Sequence, residues 1–266
     1  MTGSTKRALL RLGVGVTTLP LWFGGPPRLT RRVTFVLIMA CGVATGLAFG
    51  LYPRLDLQIS ALFYDPVRRT WPADESAILR YYRDVSSVLS SILVIIAVGA
   101  FALAAIRRRV PSLIGLRAAS VLLGSLLLGP GLITNVLLKP QWGRPRPAEV
   151  TDFGGHLAFV PWWSPHGACD GNCSFVSGEE SMAAWLIAWA VVLPGRYRGI
   201  AMAAALLQCA LMGACRVAMG GHFASDVLFA VILTALSVWV TYCAAFRGGP
   251  ADAPTGLERS AAFTPS

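Results

Sequence analysis

Residues 118–147 read AASVLLGSLLLGPGLITNVLLKPQWGRPRP. The first 21 of them, Ala118 to Leu138, carry no charge, and roughly 20 apolar residues in a helix rising about 1.5 Å per residue cross a bilayer's hydrocarbon. Lys139, Arg144 and Arg146 then arrive among three prolines within nine residues. A membrane span ending in a cluster of cations is therefore the first reading. Working outward, Val33 to Leu51 and Val85 to Ile106 are also free of charge over 19 and 22 residues. Gly178 to Leu193 opens on Glu179 and Glu180, Ile200 to Met219 holds Arg216, and Phe223 to Phe246 holds Asp226. The expectation is an all-α polytopic membrane protein with six transmembrane helices.

Composition agrees. Of 266 residues, 55% are hydrophobic and only 14% charged, with a mean hydropathy of +0.61. Soluble domains carry about a quarter charged residues, so this balance excludes a soluble or disordered chain. Six spans place both termini on one side, which divides the chain into a cytoplasmic or interfacial segment 1–32, a six-span domain 33–246 and a disordered cytoplasmic tail 247–266. The terminus-side segments hold 14 of the 23 bases and two of the 13 acids. The positive-inside rule makes that side cytoplasmic. The net +10 is thus topology and not a nucleic-acid footprint. The opposite side owns Trp71, Trp142, Trp162 and Trp163, read as interface anchors.

Polar residues interrupt the apolar pattern in three blocks, all on that opposite side. Lys139 to Pro147 reads as a stiff, extended loop displaying a point charge and guanidinium forks, suited to phosphate or to anionic headgroups. Ser177-Gly178 at the mouth of the fourth span offers unpaired N–H groups at the positive end of a helix, although Ser177 with Glu180 also reads as a capping box. In Arg216 to Asp226, His222 and Asp226 are four residues apart on one expected helical face. Asp226 would then accept the Nδ1 proton and leave Nε2 as an oriented lone pair. Ionisable groups at this density in a membrane segment point to function.

Lys139, six residues, Arg146-Pro147; then Ser177-Gly178; then Arg216, five residues, His222, three residues, Asp226: this order resembles the type 2 phosphatidic acid phosphatase superfamily. The stretch from Leu55-Asp56-Leu57 to Phe63-Tyr64-Asp65-Pro66 resembles its bacterial members. The resemblance implies a metal-independent lipid phosphatase without cofactor, its six-helix bundle in the bacterial inner membrane and its site on the periplasmic side. Lys139, Arg146 and Arg216 would hold phosphate oxygens with the Ser177 and Gly178 N–H groups. His222 would form a phosphohistidine and Asp226 would steady it. In the family's second block Pro-Ser-Gly-His, Val176 replaces the proline and Glu179 the histidine that protonates the leaving oxygen. Glu179 is then a tuned acid, or the leaving group needs little help, which favours a lipid A phosphate or undecaprenyl pyrophosphate. A phosphotransferase on the same scaffold and a non-catalytic binder or transporter of anionic lipid are the rivals. Cys169 and Cys173 sit close enough for a disulfide without requiring one.

Overall fold

The computed structural model describes residues 27–106 and 115–246. The segments 1–26 and 247–266, on which the expectations for the N-terminal stretch and the tail fall, lie outside them. Long apolar runs become helices α1 (Pro27–Leu51), α4 (Ala77–Ile106), α8 (Gly195–Ala218) and α9 (Ala224–Ala245). Between α1 and α4 lie the short helices α2 (Arg54–Ala61) and α3 (Pro72–Glu75). Helix α1 begins at Pro27, six residues before the expected start of the first span at Val33.

Helix α5 (Leu116–Leu126) runs on as a wider π helix, Leu127–Leu138, and then as α6 (Lys139–Trp142). Pro130 lies inside this stretch and has no N–H for the ordinary ladder, a known cause of local re-winding. Lys139 therefore stands on a final helical turn, with Pro140 in the first-turn position that tolerates it, and not on the extended loop expected from the prolines. Extended backbone starts only beyond Gly143.

Among the described residues five helices are long and apolar enough to cross a membrane. The expected fourth span is α7 (Gly178–Val192), whose 15 residues fall short of the roughly 20 that a full crossing takes. It sits instead at the heart of the bundle, with Trp185 fully buried and its indole N–H donating to the Leu122 carbonyl (3.0 Å). Val121, Leu122, Ile187, Val191 and Val238 pack around it. Outward-facing Val88, Leu89, Ile95, Leu206 and Leu207 are exposed, as lipid-facing side chains are. Among the described residues there are no strands, only two isolated bridges.

Candidate active site

One end of the bundle gathers the start of α7, the end of α8, the start of α9 and the loops after α1 and α6. The chain reverses between α8 and α9 through Gly220 and Gly221. Gly220 has φ +66°, and a Cβ there would fall 2.4 Å from the Trp71 ring. A Cβ on Gly221 would fall 2.3 Å from Nη2 of Arg216. Only glycine lets the turn pass between an indole and a guanidinium. The Gly221 and His222 N–H groups donate to the Arg216 carbonyl (3.0 and 3.3 Å), fixing the two functional side chains in one turn.

His222 is buried, and its Nδ1 lies 2.8 Å from the Ser174 carbonyl oxygen. A carbonyl only accepts, so Nδ1 carries the proton and Nε2 keeps its lone pair. The expected direct bond to Asp226 is absent: Oδ2 stands 4.0 Å from Nδ1. The reason is that α9 starts at Ala224, so His222 precedes it and the four-residue helical step does not apply. Asp226 Oδ2 accepts instead from Ser174 Oγ (2.5 Å) and the Phe223 N–H (2.9 Å). Its other oxygen pairs with Arg144. Burial pushes the His222 pKa well below 6.5, and Arg216, Arg146 and Lys139 push the same way.

The three expected phosphate cations converge at this end, each satisfied by an oxygen of the chain. Lys139 Nζ donates to Asn172 Oδ1 (2.7 Å), and Arg146 donates through Nε and Nη2 to the Asn172 carbonyl (3.2 and 2.7 Å). Arg216 Nε ion-pairs with Glu179 Oε2 at 2.7 Å, and Glu179 also reaches Arg83 (3.9 Å). Glu179 is thus used as an anion in this arrangement. Asn172 belongs to Cys169–Cys173, a ring of five residues closed by a disulfide.

Ser177 caps α7, its hydroxyl accepting from the Glu180 N–H (3.3 Å). The capping box is only half made, because the Ser177 N–H donates to the Asp226 carbonyl (3.4 Å) and the Glu180 carboxyl turns inward. The Gly178 and Glu179 N–H groups lie in the first turn, with no carbonyl one turn back. Lys139 Nζ would stand 3.3 Å from a Cβ on Gly178.

Sequence reasoning gave no role to Arg144, Asp56, Ser174 or Asn172. Arg144 is fully buried and donates to Asp56 (2.8 Å), to Ser225 Oγ (2.9 Å) and to the Val160 carbonyl (2.8 Å), besides Asp226. Asp56 in turn accepts from the Ser225 N–H and hydroxyl (2.9 and 2.6 Å). An acid in α2 that matches bacterial relatives was the available signal for Asp56. The tryptophans also differ from expectation. Trp71 packs inside against Tyr64 and Phe153, and Trp142 and Trp162 pack around Phe175; only Trp163 is well exposed. The need to wall off buried charges draws the rings in. Among the described residues no three His, Cys, Asp or Glu side chains come together as metal ligands would.

The model of the PAP2 superfamily matches residues 118–249. A lipid A 4'-phosphatase of Francisella tularensis subsp. novicida (strain U112) is 33% identical over 203 residues, 75% of this chain and 90% of that protein. The chain belongs to the PAP2 superfamily. Two further PAP2-like relatives are a lipid A 4'-phosphatase of Rhizobium etli, 44% identical over 111 residues (42% of this chain, 43% of that protein), and one of Rhizobium leguminosarum, 46% identical over 109 residues (41% and 46%). The aligned part spans under half of either Rhizobium protein. No solved structure matches the chain. PAP2 membership and these relatives make it a bacterial membrane phosphatase, a phosphoric monoester hydrolase.

Proposed function

We propose that this PAP2 phosphatase removes a phosphate from a lipid head group through a phosphohistidine on His222, with lipid A as its preferred substrate. The observation that supports this most directly is a buried imidazole whose Nδ1 is held by a carbonyl while three cations converge around it. The names of the relatives favour lipid A over undecaprenyl pyrophosphate.

In this reading phosphate takes over the contacts that Asn172 and Glu179 now make with Lys139, Arg146 and Arg216. The Gly178 and Glu179 N–H groups add the positive end of α7. Nε2 of His222 attacks phosphorus in line, the Nε2–P bond forms, and the bond to the lipid oxygen breaks with its electron pair. The cations meet charge on the equatorial oxygens. The resulting imidazolium keeps its Nδ1 proton on the Ser174 carbonyl, and Asp226 steadies it at one remove through Ser174. Glu179, released from Arg216, takes up a proton from solvent and passes it to the leaving oxygen. Water then attacks phosphorus, giving a proton to Glu179, and the Nε2–P bond breaks with its electron pair left on Nε2, which frees His222 and phosphate. The site faces the periplasm and the termini the cytoplasm, as the sorting of bases in the sequence supports.

The test is phosphate release by purified protein in detergent from lipid A, undecaprenyl pyrophosphate and phosphatidate, with and without chelator. Lipid A should lead, with the 4'-phosphate missing from the product by mass spectrometry. Equal rates on phosphatidate count against the substrate assignment, and abolition by chelator counts against the histidine route.

A further inference from the structure

A cleft of about 330 Å³ opens from the phosphate cradle, bounded by α4, the π helix, α7 and α8. Lys139, Gly178 and Glu179 stand at its mouth, while His222, Ser174 and Asp226 do not line it. The cleft therefore meets the cradle at Lys139 and Gly178, and the nucleophile is not part of its wall. In an in-line displacement the leaving oxygen departs opposite the attacking nitrogen, so the group behind that oxygen needs a space that the nucleophile does not line, and this cleft is such a space.

Beyond the mouth its walls are uncharged, polar where α4 and Gln208 face it and apolar at Met182, Ala183 and Met212. Ser86, Ser87, Ser90 and Ser91 form paired four-residue steps on α4, and Gln208 of α8 faces them. Gln208 Nε2 donates to Ser86 Oγ (3.1 Å). Ser87 and Ser91 donate to the carbonyls of Arg83 and Ser87 (3.0 and 2.9 Å), which leaves their oxygens as acceptors. At 30 residues and about 45 Å, α4 exceeds the roughly 30 Å of hydrocarbon, so the serines lie about where it emerges. Hydroxyls and amides there would gain nothing from acyl chains, and the walls add no cation for a second phosphate.

We infer that this cleft binds the sugar ring that carries the scissile phosphate: its hydroxyls pair with Ser87, Ser90 and Gln208 while the phosphate lies among the cations. The inference rests on the phosphatase reading and goes further, naming the serine cleft as the element that selects a phosphate carried on a sugar ring.

The experiment compares kcat/KM for lipid A and for phosphatidate, which has no sugar, in the wild type, in a Ser87→Val/Ser90→Val double variant and in Gln208→Leu. The lipid A to phosphatidate ratio should fall roughly tenfold in each, because polar groups that recognise hydroxyls discriminate strongly when removed. An unchanged ratio in a folded variant overturns the inference. A wild type that releases phosphate from neither lipid overturns the phosphatase reading itself. The second variant guards against misfolding of the first. A soluble hexosamine phosphate added as competitor tells the source of the ring. Competition lost in the variants shows the free sugar phosphate recognised by itself, and absence of competition with the ratio change retained shows that the ring is read within the lipid head group.

Discussion

Arg144 and Asp226 form an ion pair with no solvent access on either side chain, one turn from His222. The same guanidinium also holds Asp56, so one cation is shared between two buried carboxylates. Removing one partner of such a group leaves an uncompensated buried charge and costs about 3–5 kcal/mol. Arg144→Met should therefore lower the thermal unfolding midpoint sharply in detergent and abolish phosphate release. Preservation of both would show the network to be dispensable.

Asn172 binds Lys139 and Arg146 at once, and the Cys169–Cys173 disulfide closes the ring that presents it. The ring holds Lys139 and Arg146 in place before phosphate arrives, so loosening it loses that preorganisation and should raise KM roughly tenfold. The decisive comparison is wild type with and without reductant against a Cys169→Ser/Cys173→Ser variant. The wild type should shift on reduction towards the variant, and kcat should change less than KM. Insensitivity of the wild type would remove the ring from the positioning of the cations.

His222 has its proton affinity lowered by burial and by three cations. It stays neutral and nucleophilic below pH 6.5, so the acid limb of kcat/KM belonging to this group should lie under that value. The linked stability runs in the same direction. Between the folded and unfolded pKa values the unfolded chain binds more protons, so stability declines as pH falls from about 6.5. His222→Gln should lose roughly a thousandfold or more in activity. It should also flatten the fall in unfolding midpoint between pH 7 and 5, and an unaltered slope would contradict the assignment.

Glu180 is fully buried, and neither carboxyl oxygen has a hydrogen-bond partner beyond a weak contact with the Cys209 thiol. A polar group buried without good partners costs about 1–3 kcal/mol in proteins. Glu180→Met should raise the unfolding midpoint and retain phosphate release. A lower midpoint would mean that the carboxyl has a stabilising partner.

Five of the six expected spans were legible because long, predominantly apolar helices are one of the few patterns lipid permits, while the fourth, α7, is too short to cross. The site's cations were legible as blocks whose order matches a family. Partnerships inside the blocks were not. Arg144 and Arg146 flank Pro145 with the same charge, yet one points down to Asp56 and Asp226 and the other across to Asn172. Nothing local separates them, because the buried acid that selects Arg144 lies 88 residues away in α2. The Nδ1 partner was misread because a helical spacing was applied to a residue just before its helix. Asn172 carries no charge, so a search for ionisable clusters passed over it.

The brevity of α7 sets where the chemistry takes place. At 15 residues it reaches about 22 Å, so a helix seated at one boundary stops about 8 Å short of the other. With its carboxyl end seated at the first boundary, its amino end, where Gly178 stands, would form a sunken floor instead of a rim. A lipid would then not need to be lifted out for its phosphate to be reached; the head group would be drawn downward while the tails stay in oil. Molecules that never anchor in the bilayer forgo that assistance.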